Sequence, residues 1–257
     1  RGDASVTIWG TGTPRREFLH VDDLASACFH LFGLDNPPDW VNCGTGTDLT
    51  PAQQVVEEIK AMGGEAVVNG DNVADWEGAQ RMVNQAVETF GDLDILVNNA
   101  GIAAAAPVHE LDIAVWDRVL AVHLRGTFLM TRAVLPQMYT RGYGRIINTA
   151  SQLAYKGAPG FTAYTAAKGA ILSFTRSVAL EIGARNITIN CVAPGATRTP
   201  ILDDVPAEVL EEIRKAIPLG RIADVDDIAP SFVFLASDAG RHFQGQCISP
   251  NGGDVFL

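Results

Sequence analysis

The chain predicts an α/β domain built on a parallel, doubly wound sheet, and three observations carry that expectation. Strand and helix candidates alternate regularly from residue 51 to the end. Ile95-Leu96-Val97 is continuously apolar, as a strand covered on both faces requires. Polar, glycine-punctuated turns follow three of the strands, at the end where open α/β sheets hold ligands. With 257 residues, 47% of them hydrophobic, and no low-complexity linker or repeat, one domain spanning 1–257 is expected.

The elements follow in order. Val6–Trp9 reads as a strand ending in the turn Gly10-Thr11-Gly12, Asp22 and Asp23 cap a helix over about 24–34, and Trp40–Cys43 reads as a second strand. Thr50-Pro51 opens a helix to about Met62, with Val55, Val56 and Ile59 on one side and Gly63-Gly64 stopping it. Then come strand 65–69, helix 76–90, strand 93–97 and a long helix over 112–138 with Pro136 near its end. Strand 145–149, helix 162–184, strand 187–192, helix 206–216, helix 225–236 and a terminal strand over 246–249 complete the set. Such β-α repeats imply right-handed crossovers.

A net charge of -11 argues against a nucleic-acid backbone or an anionic membrane as partner. Cys28, Cys43, Cys191 and Cys247 lack paired metal-ligand spacing and read as core thiols of a reducing compartment; the five histidines form no metal pattern either, so no metal is expected. No apolar run approaches the roughly 18 residues that span a bilayer, and no leader is visible, so a cytoplasmic location is expected.

Chemistry concentrates in Gly144–Lys168. Ser151 lies just past a buried strand, and Tyr164 and Lys168 stand four residues apart, on one face of a helix that opens near 162. A free tyrosine, with a pKa near 10, is a poor base at neutral pH; a nearby cation favours the phenolate, and a serine hydroxyl can hold a substrate oxygen. That trio suits proton transfer to or from a substrate oxygen. Asn98-Asn99-Ala100-Gly101 and Pro194–Thr199 end two further strands, the first with small residues that admit a close ligand and amides that can tie strands together.

From about Pro51 to Leu257 the chain resembles the short-chain dehydrogenase/reductase family, on Asn98-Asn99-Ala100-Gly101, Ser151 with Tyr164-x-x-x-Lys168, Pro194-Gly195 with Thr199, and the ending Asn251-Gly252-Gly253. The serine precedes the tyrosine by 13 positions, as in the family. The resemblance implies a Rossmann-type sheet, an NAD or NADP cofactor and hydride transfer between the cofactor and a secondary alcohol or ketone. It makes Tyr164 the acid/base, Lys168 its pKa-lowering partner and a ribose ligand, and Ser151 the holder of the substrate oxygen. It places cofactor contacts at Asn72, Val73, Asn98, Ala100, Gly101 and Thr149, at Tyr164 and Lys168, and at Pro194, Gly195, Thr197 and Thr199. The substrate wall falls on 152–161 and 200–216, and family tetramers imply a homo-oligomer, tetramer or dimer, formed through helices 112–138 and 162–184.

Three departures stand out. His123 occupies the place of a catalytic Asn that supports a proton relay, and Asn72 that of an Asp facing the adenine. The glycine-rich phosphate loop after the first strand is absent, leaving only Gly10 and Gly12. Residues 1–50 instead resemble part of the GDP-L-fucose synthase family, through Val6–Gly12, Arg15–Ala25 and Val41–Gly46, where Arg16 would lie near a nucleotide sugar. The chain reads as a chimera whose front supplies two strands to the sheet. Two alternatives to the dehydrogenase stay open at this point: sugar-nucleotide epimerase/reductase work through Arg16, and a silent scaffold with impaired cofactor binding.

Overall fold

The strands of the computed structural model are β1 (Val6–Ile8), β2 (Trp40–Cys43), β3 (Ala66–Asn69), β4 (Ile95–Asn98), β5 (Gly144–Thr149), β6 (Ile187–Val192) and β7 (Cys247–Ile248). All seven are parallel and form one sheet in the order β3-β2-β1-β4-β5-β6-β7. The structure describes residues 6–8, 40–43, 51–199, 202 and 205–256. The two front strands take interior positions: Val6 pairs with Trp40 on one side and Ile95 on the other. The expectation that the front completes the sheet holds for both strands, while helix 24–34, Gly10, Gly12 and Arg16 lie outside the described residues.

Strand β4 shows why its run is apolar throughout. Ile95 and Val97 face a cluster with helix α1 (Pro51–Ala61) and helix α8 (Val225–Ala236), through Val55, Ile59, Ile228 and Phe232. Leu96 points the other way, into a cluster with α2 (Trp76–Phe90), α4 (Gly126–Arg141) and α6 (Thr162–Ile182). Alternate residues thus bury on opposite faces, and each fully buried aliphatic side chain contributes about 1.5–3 kcal/mol relative to exposure. Helix starts follow local chemistry: Asp75 accepts from Gly78 N at 2.9 Å to cap α2, and Asp224 and Asp227 form a reciprocal capping box on α8.

The long helix expected over 112–138 differs. It divides into α3 (Ile113–Leu120), a π-helical turn at Ala121–Arg125, and α4, which runs past Pro136 to Arg141 and ends at Gly142 in the left-handed region, φ +68. Such a turn marks a local irregularity often found at functional sites, and this one carries His123. A short helix, α5 (Leu153–Lys156), forms where only a wall segment was expected, and α7 (Ala207–Ala216) follows β6.

The chain winds from β1 outward through β2 to β3, then crosses to β4 on the other side of β1. The carboxyl ends of β1 and β4 therefore flank the topological switch point, where such sheets hold ligands.

Candidate active site

Strand β5 and helix α6 assemble the centre. Lys168 is 3% exposed and donates from Nζ to the Thr149 carbonyl at 2.6 Å, which pins the helix to the strand end. Thr149 Oγ1 in turn donates to Asn99 Oδ1 at 3.0 Å, joining the ends of β5 and β4. The helical four-residue spacing brings Lys168 Nζ to 5.6 Å from the centre of the Tyr164 ring. Ser151 is buried, accepts from Leu153 N at 3.1 Å and shares a hydrogen bond with the Tyr164 phenol. All three predicted catalytic side chains on this segment meet.

His123 joins them from the π turn. Its ring lies edge-on to Tyr164, centroids 5.3 Å apart at 87°. His123 Nε2 sits 2.9 Å from Ile102 N and 2.7 Å from Ile102 O, and a neutral imidazole satisfies only one of these at a time. Nδ1 is buried without a partner. Gly101 is required beside it, because a Cβ there would stand 2.5 Å from His123 Cε1.

Burial dominates the electrostatics. It pushes the Tyr164 phenol above its ordinary 10, with the Ser151 hydrogen bond pulling the other way. Burial lowers Lys168 to about 7. His123 falls to about 3, first through burial and then through the Lys168 charge, against the Ile102 hydrogen bond. The expected direct lowering of the tyrosine by the lysine is therefore not the leading effect: two enclosed groups each shift toward their neutral form.

The remaining predicted residues divide. Ala100 and Gly101 lie half-buried at the end of β4, beside the centre. Thr197 is buried and donates from Oγ1 to Gly195 O at 3.0 Å, while Pro194 O accepts from Gln152 N at 3.0 Å. The Thr199 carbonyl accepts from Leu202 N at 2.8 Å. Gly195 answers to packing: a Cβ there would meet Asn251 Cα at 2.7 Å. The Asn98 side chain turns into the fold, donating from Nδ2 to Asn148 Oδ1 at 2.8 Å, and Asn148 Nδ2 donates to Thr175 Oγ1 at 2.8 Å. Asn98 thus ties strands together through its Nδ2. Asn72 is exposed with Oδ1 accepting from Ala74 N at 2.9 Å, and the Val73 side chain is buried against Gly126. Gly10 and Gly12 lie outside the described residues.

Sequence reasoning missed two partners. One is the Ile102 peptide that holds His123. The other is Asp254, 9% exposed, whose Oδ2 accepts from Gln152 Nε2 at 2.7 Å and Lys156 Nζ at 2.5 Å. No local signal could link residues so far apart. Among the described residues no cluster of three or more His, Cys, Asp or Glu is placed to hold a metal, and Cys191 and Cys247 are free thiols.

Two family models divide the chain. Residues 45–254 match one described as enoyl-(acyl carrier protein) reductase, and residues 1–44 match the NAD dependent epimerase/dehydratase family, so the junction falls near the boundary read from the residues. A 3-oxoacyl-[acyl-carrier-protein] reductase of Staphylococcus aureus is 39% identical over 202 residues, 79% of this chain and 82% of its own length. The BbsD subunit of (2S)-[(R)-hydroxy(phenyl)methyl]succinyl-CoA dehydrogenase from Thauera aromatica is 37% identical over 206 residues, covering 80% of this chain and 83% of that one. A candidate NAD(P)-dependent gluconate 5-dehydrogenase from Beutenbergia cavernae, whose crystal carries NADP at low occupancy, superposes with a TM-score of 0.84 at 32% identity, covering 97% of this chain and 95% of that one.

Proposed function

Because the chain belongs to the short-chain dehydrogenase/reductase family, we propose that it interconverts a secondary alcohol and a ketone with NAD or NADP. The observation that carries this reading is the meeting of Ser151, Tyr164 and Lys168 at the carboxyl end of β5.

The residues present fit the nicotinamide end of the cofactor. Lys168 spends one of its three N–H donors on Thr149 O, keeping donors for ribose hydroxyls, and Gly101, Ala100 and the Pro194–Thr199 turn bring small residues and backbone to the same strand ends. When bound, that group accepts or supplies the hydride. The chain's own residues do the rest. Ser151 holds the substrate oxygen with its hydroxyl. Tyr164, as phenolate, takes the proton from the alcohol oxygen while hydride leaves the carbon that bears it, forming the ketone, and as phenol returns the proton to that oxygen in reduction. A Lys168 ammonium favours the phenolate. His123, neutral at working pH, fixes the Ile102 peptide and buttresses the Tyr164 ring rather than carrying charge. The pyrophosphate half falls to the front segment with Gly10 and Gly12.

No described helix is long and apolar enough to cross a membrane. Leu180 on α6 is 89% exposed, and Phe128 on α4 is also exposed, stacking edge-on to Phe174 of α6; these apolar surfaces support a homo-oligomer through α4 and α6 in a cytoplasmic enzyme.

The test follows nicotinamide absorbance with a panel of ketones and alcohols for wild type and Tyr164→Phe. A loss of roughly 100-fold or more is expected from removing the proton carrier. Turnover that survives the substitution overturns the mechanism.

A further inference from the structure

The turn over residues 249–255 touches two segments that lie far apart in the chain. On one side stands Asp254, its side chain 9% exposed. Its Oδ2 accepts from Gln152 Nε2 at 2.7 Å and from Lys156 Nζ at 2.5 Å. Gln152 directly precedes α5 and Lys156 ends it, so a single carboxylate holds both ends of that helix. On the other side the turn seats the segment after α7. Leu219 N donates to Gly252 O at 3.1 Å. Gly252 and Gly253 both lie in the left-handed region, φ +68 and +92, and a Cβ on them would stand 2.6 Å from Ile217 Cγ2 and 3.0 Å from Pro218 Cγ.

The turn itself is firmly built. Asn251 Oδ1 accepts from Gly253 N at 2.8 Å, and its Nδ2 donates to Ser249 Oγ and to Val255 O, each at 2.9 Å. Ser249 Oγ donates to Ala193 O at 2.7 Å and Gly195 N donates to Pro250 O at 3.0 Å, which fixes the turn to the end of β6. Helix α5 is the opposite case: four residues, no side-chain cap and no buried residue. One helical turn has too few internal bonds to hold itself, so its place depends on what anchors it from outside. Asp254 grips it from the better-anchored partner.

We infer that Asp254 is a positioning residue that clamps α5 to the turn seating Ile217–Leu219, and so sets the spacing between the two walls that enclose substrate. The inference rests on the dehydrogenase reading above, which places substrate between 152–161 and 200–216. Tyr164 and Lys168 are held by α6 and Thr149 rather than by this turn, so the clamp acts on substrate binding more than on the chemical step. The Lys156 side chain is 38% exposed, so added salt weakens its bond to Asp254 more than it weakens the amide bond from Gln152.

The test uses Asp254→Ala, which removes both bonds, and Asp254→Asn, which keeps an acceptor for Gln152, loses only the charge, and covers the case in which Ala fails to fold. The probe is the neutral ketone of the panel that wild type reduces fastest, at saturating cofactor. KM should rise roughly tenfold in Asp254→Ala and about threefold in Asp254→Asn, with kcat held within about twofold. Added sodium chloride should raise KM in wild type more than in Asp254→Asn. Native-state hydrogen exchange supplies a reading that needs no turnover: both variants should exchange faster at 153–157 and also at Ile217, Leu219 and Gly220, to which Asp254 makes no bond. Exchange quickened at 153–157 alone, an unchanged KM, or a salt response equal in wild type and Asp254→Asn overturns the inference and leaves the dehydrogenase reading intact. No turnover on any ketone of the panel, with exchange quickened in both segments, overturns the dehydrogenase reading and supports the clamp.

Discussion

Lowering the pH should unfold this protein through His123, and the effect can be isolated by substitution. The His123 ring is 2% exposed and its pKa is lowered from 6.5 to about 3, so the folded protein keeps it neutral where an unfolded chain would protonate it. A depressed folded value contributes stability that is present above about pH 6.5 and is lost as pH falls toward 3. Near pH 4 the unfolded chain has gained about 3 kcal/mol from protonating this one side chain, at about 1.4 kcal/mol per pH unit. His123→Asn removes the titration. Its amide can also donate to Ile102 O and accept from Ile102 N together, where the imidazole manages one. Urea unfolding followed by tryptophan fluorescence at pH 7 and near pH 4, for wild type and His123→Asn, gives a double difference in which other titrating groups cancel. The expected result is an extra loss in wild type of about 3 kcal/mol. Equal losses in the two proteins would refute the claim that a neutral, buried imidazole is part of the fold.

Other outcomes follow from the same geometry. Gly101→Ala places a Cβ 2.5 Å from His123 Cε1, against a ring held by Ile102, so melting should show a loss of about 1–3 kcal/mol and turnover should fall with it; an unchanged kcat would mean the ring yields freely. Lys168 has its pKa lowered from 10.5 to about 7, so its burial penalty is full below about pH 7 and fades as pH rises to about 10.5. Lys168→Met should therefore be more stable relative to wild type at pH 7 than at pH 10 while losing turnover, and a pH-independent difference would contradict it. Asn148→Ala leaves Asn98 Nδ2 only its longer bond to Thr131 Oγ1 at 3.3 Å and opens a buried polar chain across β4, β5 and α6, so chemical denaturation should report a loss of about 2–4 kcal/mol.

What could be read from the residues was what local periodicity encodes. Tyr164 and Lys168 share a face because a helix repeats every 3.6 residues, and Ile95-Leu96-Val97 announces a strand buried on both sides. The π turn was invisible because Val122-His123-Leu124 continues the helical composition; in the structure the turn carries the His123 ring that contacts Ile102. The role of Asn98 could be half read. Its amide was recognised as a possible strand tie, but only the register Asn98–Asn148 shows which partner its Nδ2 takes. Asp254 could not be found at all, since its meaning depends on Gln152 more than a hundred residues earlier.

The central place of β1 also has a bearing on how the chain is made. Val6 cannot pair with Ile95 until almost the whole intervening chain has left the ribosome, and at about 5–20 residues per second that is a wait of several seconds to tens of seconds. For that interval β1 has no neighbour on its β4 side. Its pairing on that side waits on a contact far along the chain, which is the slow, non-local kind of pairing. A central strand of three residues asks little of its sequence beyond the right backbone at the right time. That is a physical reason why a segment resembling another family's could stand here and the sheet still close.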